Sequence, residues 1–141
     1  MTDFEMPGWA KRVALVRHGC EHPFGALDPR ATALVVIDMQ NGFMVREGAA
    51  SFIEASLTIA PVINRLAAAL RDAGGQVVWV QNTHDPDTVA GWSNWFAMNS
   101  AAFNEGALAA QARGSFGHAL HETMEVRPGD VRVAKHRLSA S

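Results

Sequence analysis

A chain of 141 residues, 48% of them hydrophobic and 18% charged, has the size of one ordinary domain and enough apolar content for one core. Twelve Lys and Arg against 14 Asp and Glu give a formal charge of −2, without the basic surplus of a generic nucleic-acid binder. The composition also excludes a disordered tail, a collagen-like repeat and a disulfide scaffold, and no apolar run reaches the roughly 18 residues that cross a bilayer.

Asp3 and Glu5 stand at the N-terminus with no apolar stretch behind them, which is not the pattern of a secretory signal. Cys20, the only cysteine, has no partner for an internal disulfide, so a reducing, cytoplasmic setting is expected. Residues 1–30 hold Pro7, Gly8, Gly19, Pro23, Gly25 and Pro29 without a helical period and read as an N-terminal arm, with Lys11–Val16 as a possible short strand. The folded domain is then expected over residues 31–141.

Thr32–Asp38 changes character. Ala33, Leu34, Val35, Val36 and Ile37 form a continuous apolar run, the pattern of a parallel strand buried on both faces, and Asp38 closes it. Residues 39–43 leave as a loop. Helical spacing follows over Ser51–Ala73, with Leu57, Ala60, Ile63, Ala67 and Leu70 on one stripe. Thr58 as N-cap would put Pro61 in the first turn, where its missing N–H costs nothing; Arg71 suits the helix end and Gly74-Gly75 the stop. Gln76–Gln81 reads as a second buried strand ending at Asn82, which completes a βαβ unit.

Thr83–Asn104 is polar and aromatic and reads as a long functional loop with room for one helical turn in it; Leu108–Thr123 reads as partly helical. Arg127-Pro128-Gly129-Asp130 is a turn, and Val131–Lys135 a third strand. Ligands of open α/β sheets bind beyond the carboxyl ends of the strands, and Asp38, Asn82 and Lys135 stand at three such ends. A carboxylate and an ammonium there could serve proton transfer; the alternative is a set of polar strand terminators or a structural ion pair.

The run ALVVIDMQNGF at 33–43, the helix end and strand LRDAGGQVVWVQNTH at 70–84, and RPGDVRVAKHRLSA at 127–140 together resemble the isochorismatase-like, or cysteine hydrolase, family. The resemblance implies a Rossmann-like α/β/α sandwich around a parallel sheet, with three of the expected core strands present. It implies a triad of Asp, Lys and Cys. Asp38 matches the aspartate that takes the thiol proton, and Lys135 the lysine that holds the carboxylate and favours the thiolate. The thiolate attacks an amide-type carbonyl, the amine leaves, and water cleaves the thioester. Asn82 resembles the pocket amide of ureido- and carbamoyl-cleaving relatives, and Phe43 an aromatic pocket wall. His84 and Trp92, with Trp95, could cover the substrate; the alternative for the Trp pair is packing of a short helix.

The same resemblance places the family's cysteine one βα step beyond the lysine, and six residues follow Lys135. The expectation is therefore that the nucleophile is missing, Cys20 lacking the strand-turn-helix setting. Strand 33–38 would then be a bare sheet edge. The functional expectation is a hydrolase of a small amide, ureido or carbamoyl compound, inactive as this chain alone. A truncated product or an interaction module completed by another chain is the alternative, and within the family a vinyl-ether hydrolase. No metal or other cofactor is expected. His18, Cys20 and His22 are too few for a closed zinc site, and Asn82 stands where metal-dependent relatives carry Asp. His118, His121 and His136 read as surface or loop histidines, and Arg137 and Ser139 continue the lysine motif without a readable role. The expected partners are a small-molecule substrate and, from the resemblance, other copies of the chain, with no nucleic acid and no membrane.

Overall fold

The computed structural model describes residues 5–23, 25–47 and 51–138. Asp3 and Ser139 lie outside them. The α/β fold predicted from the sequence forms: a three-stranded, all-parallel sheet in the order β1 (Ala33–Ile37), β2 (Gln76–Asn82), β3 (Val131–Lys135). The central strand β2 buries Val77, Trp79, Val80 and Gln81. β1 departs from the expected burial on both faces. Leu34 and Val36 face the core, whereas Val35 and Ile37 are 52% and 56% exposed. Among the described residues β1 is a sheet edge, with only one face covered.

Helix α3 (Ala55–Asp72) crosses from β1 to β2 and lays Ser56, Ala60 and Ala67 on the sheet. Small side chains there let the helix approach Val36, Val77 and Trp79 closely, and Met39, Met44 and Met124 fill the remaining core. The helix starts at Ala55, earlier than a Thr58 cap would have it. Thr58 instead turns its hydroxyl back to the Ala55 carbonyl at 2.8 Å. Pro61 is consequently inside the helix and forgoes the bond to the Leu57 carbonyl, which lies on the exposed side. The stop is as expected: Gly74 is left-handed at φ 85°, and the Gly74 and Gly75 N–H groups bond back to Arg71 and Leu70.

The segments outside this βαβ unit differ from the sequence reading. Lys11–Val16 belongs to helix α1 (Gly8–His18), not to a strand. A strand needs a neighbour to satisfy its backbone. Lys11–Val16 pairs with none, and α1 satisfies itself locally, closed by Gly19 at φ 73°. Residues after Asp38 form a single turn, α2 (Asn41–Met44). The expected loop over 83–104 holds α4 (Pro86–Gly91), α5 (Ser93–Ala97) and the start of α6 (Ala101–Gln111). Asp85 and Ser100 supply the caps that start α4 and α6. The helix expected over 108–123 thus ends at Gln111, and turns follow.

Candidate active site

The three strand ends converge. Asn82 and Lys135 are register partners at the ends of β2 and β3. Asp38 follows β1 directly, and its N–H donates to the Val80 carbonyl at 2.9 Å. β1 and β3 flank β2 and are therefore roughly 10 Å apart. The Lys135 side chain reaches across that gap, and its Nζ lies 3.0 Å from Asp38 Oδ2. Lys135 is 6% exposed and Asp38 32%. Asp38 is in the left-handed region at φ 60°, the only non-glycine residue with positive φ among the described residues. Aspartate is one of the few side chains that tolerates this conformation, at a cost of about 1 kcal/mol. Its second oxygen, Oδ1, is buried without a hydrogen-bond partner.

Gln40 braces these ends from beneath. It is fully buried, and its Oε1 accepts from the Asn82 N–H at 2.7 Å. Its Nε2 faces the Asn82 carbonyl at 3.0 Å, the His118 carbonyl at 2.9 Å and Gln111 Oε1 at 3.2 Å. Gly42 makes room for this network: a Cβ there would collide with the Gln111 amide. Gln111 in turn takes the His84 N–H on its backbone carbonyl at 2.8 Å.

His84 is buried, and its Nδ1 lies 3.1 Å from the Ala107 carbonyl. A carbonyl only accepts, so Nδ1 carries the proton and Nε2 the lone pair. Burial lowers the His84 pKa below 6.5; the Ala107 bond opposes this, and the His136 and Lys135 charges add to it.

These residues line one cavity of about 240 Å³. Asp38, Asn82, His84, Gln111 and Lys135 form its polar side, and Phe43, Trp92, Trp95 and Phe103 its aromatic side. Trp92 and Trp95 stack at 4.5 Å, and Trp95 meets the edge of Phe96 at 4.9 Å. Arg137 closes the rim, its Nη2 donating to the Gly91 carbonyl at 2.6 Å. All six residues singled out from the sequence, Asp38, Phe43, Asn82, His84, Trp92 and Lys135, are therefore on this cavity. Gln40, Phe103 and Gln111 were not singled out. Nothing local marks them, because their contacts span 42 to 78 positions or depend on α6.

The histidines divide. His118 is half-buried, with Nε2 3.0 Å from Thr83 Oγ1, and His121 is buried; both lie in the turns and loop after α6, as a loop reading allows, but neither is on the surface. The turns after α6 fold back beneath the β2 end, which sequence spacing does not reveal. Cys20, His18 and His22 are exposed beside α1, and Cys20 is not on the cavity. Among the described residues no group of three or more His, Cys, Asp or Glu side chains could hold a metal ion.

Residues 32–141 match the isochorismatase domain family. The chain belongs to the isochorismatase family. It is 37% identical over 130 residues to the ureidoacrylate amidohydrolase RutB of Methylorubrum extorquens, an alignment covering 81% of this chain and 51% of the relative. The chain thus spans about half the length of the curated relatives it matches. Among solved structures, a cysteine hydrolase from Pseudomonas syringae pv. phaseolicola shares the fold, with a TM-score of 0.67 at 22% identity over 81% of this chain and 50% of that one. An isochorismatase family protein from Desulfovibrio vulgaris gives a TM-score of 0.59 at 28% identity, covering 79% and 55%.

Proposed function

We propose that this chain supplies the aspartate–lysine part of a hydrolase site that cleaves a C–N bond in a small amide, ureido or carbamoyl compound. The observation that carries the reading is the Lys135–Asp38 pair, 3.0 Å apart on the wall of a cavity at the strand ends. The similarity to ureidoacrylate amidohydrolases supports the substrate class. On this reading Asp38 accepts the proton of an attacking thiol, and Lys135 offsets the charge beside it. Asn82, one strand end away, hydrogen-bonds the polar end of the substrate, while Phe43 and Trp92 cover its apolar part. A cavity of about 240 Å³ suits a molecule of modest size. The thiol itself is not on the cavity, Cys20 being exposed beside α1. The 141 residues alone are therefore proposed to bind such a compound without turning it over.

The test is a titration of the purified chain with ureidoacrylate and related carbamoyl compounds. Tryptophan fluorescence reports binding, Trp92→Phe isolates the signal, and ammonia release reports turnover. Saturable quenching without ammonia is the expected result. Ammonia release that survives Cys20→Ala and is lost in Asp38→Ala would overturn the need for a thiol. No saturable binding by any compound of the panel would overturn the substrate class.

A further inference from the structure

A second cleft lies at the opposite, N-terminal end of the sheet. It has a volume of about 450 Å³ and is bounded by the end of α3, the start of β2 and the turn before β3. Three arginines line it: Arg30, Arg71 and Arg127. Its one acidic residue is Asp130, whose carboxylate is already saturated. That carboxylate accepts from Arg71 Nε at 2.9 Å, Arg71 Nη2 at 2.6 Å, Trp79 Nε1 at 2.8 Å and the Arg127 N–H at 2.9 Å. A carboxylate offers about four acceptor sites. Asp130 therefore balances Arg71 and has no acceptor left for a second guanidinium. Among the described residues neither the Arg30 nor the Arg127 side chain has a carboxylate within 4.0 Å.

Two uncompensated positive charges thus share one concave surface. The cleft also runs over Gly74, Gly75 and Gly129, and at Gly129 nothing lies within 4 Å of where a Cβ would stand, so the turn before β3 is open to a ligand. The stem of Arg30 lies across Gly74: a Cβ there would be 3.6 Å from Arg30 Cγ. The end of α3, which would otherwise repel an anion, has carbonyls already capped by the Gly74 and Gly75 N–H groups.

We propose that this cleft binds a small phosphate-type dianion. Paired guanidinium forks match the oxygens of such a group, and the two unbalanced charges match its charge. The site is separate from the cavity holding Asp38 and Lys135, and the proposal does not rest on the hydrolase reading.

The test is an amide NMR titration of the chain with inorganic phosphate against sodium chloride at equal ionic strength. Saturable shifts centred on Gly74, Gly75 and Gly129 are expected with phosphate only. The double variant Arg30→Gln/Arg127→Gln, at exposed positions, keeps the spectrum of the folded chain and weakens binding by about tenfold or more, the weight of a charge-assisted hydrogen bond. The control Arg12→Gln/Arg17→Gln removes the same charge from α1 and leaves binding unchanged. Shifts reproduced by chloride, or an equal loss in the control, would reduce the effect to bulk charge and overturn the site. A malonate titration as strong as the phosphate one would overturn the assignment to phosphate.

Discussion

Asp130→Asn tests how the start of β3, and through it Lys135, is fixed to the rest of the sheet. Asp130 is 4% exposed and joins three elements: Arg71 of α3, Trp79 of β2 and the turn at Arg127. The Arg71 guanidinium, chiefly through its hydrogen bonds, lowers the Asp130 pKa from 3.8 to about 2. The unfolded chain has no such partner, so the folded state binds this proton less readily. A shift of that size corresponds to roughly 2 kcal/mol of stability. Because the folded pKa is depressed, this contribution is fully present above pH 3.8 and is lost as the pH falls through about 2. At neutral pH Asp130→Asn loses it and also leaves Arg71 buried without its counter-charge, for a total of about 3 to 5 kcal/mol. Urea denaturation of the two proteins across the acid range measures the gap. The expected result is a gap that narrows by roughly 2 kcal/mol between about pH 5 and pH 2. A gap that stays constant over that range would refute the clamp as an ion pair and leave only packing.

Gln40→Leu strips partners from both backbone groups of Asn82 and from the His118 carbonyl, and chemical denaturation should register a loss of about 3 to 5 kcal/mol. His84 and His118 are both held below 6.5, chiefly by burial, so the unfolded chain binds protons that the folded chain refuses. Stability is then full above pH 6.5 and declines as the pH drops below it; melting temperatures should follow that slope, and His84→Gln/His118→Asn should flatten it. Asp38→Asn keeps a side chain that tolerates the left-handed backbone while removing the charge beside Lys135. A double-mutant cycle with Lys135→Met should give a coupling of about 1 to 3 kcal/mol, and a coupling near zero would mean the pair is no more than contact geometry.

The βαβ unit was legible because each element carries its own signal. The runs ALVVI and QVVWVQ are continuous enough to read as parallel strands, and Gly74-Gly75 ends the helix between them in the way its sequence demands. Burial of β1 was not legible, because it depends on what covers the far face of Val35 and Ile37 rather than on their type. Pro61 misplaced the start of α3, since a tolerated interior proline looks in sequence like a first-turn proline. The helices α4 to α6 follow N-caps at Asp85, Trp92 and Ser100, within a stretch whose aromatic content suggested a loop. The polar strand ends announced Asp38, Asn82 and Lys135. The brace beneath them did not show, because the bonds of Gln40 to Asn82, Gln111 and His118 are set by tertiary folding alone.

The geometry explains why the pair needs these two residue types at these two ends. With β2 between them, a short cation on β3 could not reach β1, and Lys135 bridges the gap on a flexible four-carbon stem. A broad guanidinium would have to fit where Nζ now sits almost wholly out of water. On the β1 side the backbone turns sharply at Asp38, and the left-handed φ gives the carboxylate its approach to Lys135 just after the ladder ends. The ammonium and carboxylate together carry no net charge, which limits the cost of holding Lys135 at 6% exposure. Oδ2 is committed to the lysine while Oδ1 has no partner. On the proposed reading, an acceptor left open beside a fixed cation suits a carboxylate that takes up a proton. Asp130, at the other end of the same sheet, differs in having both of its oxygens filled.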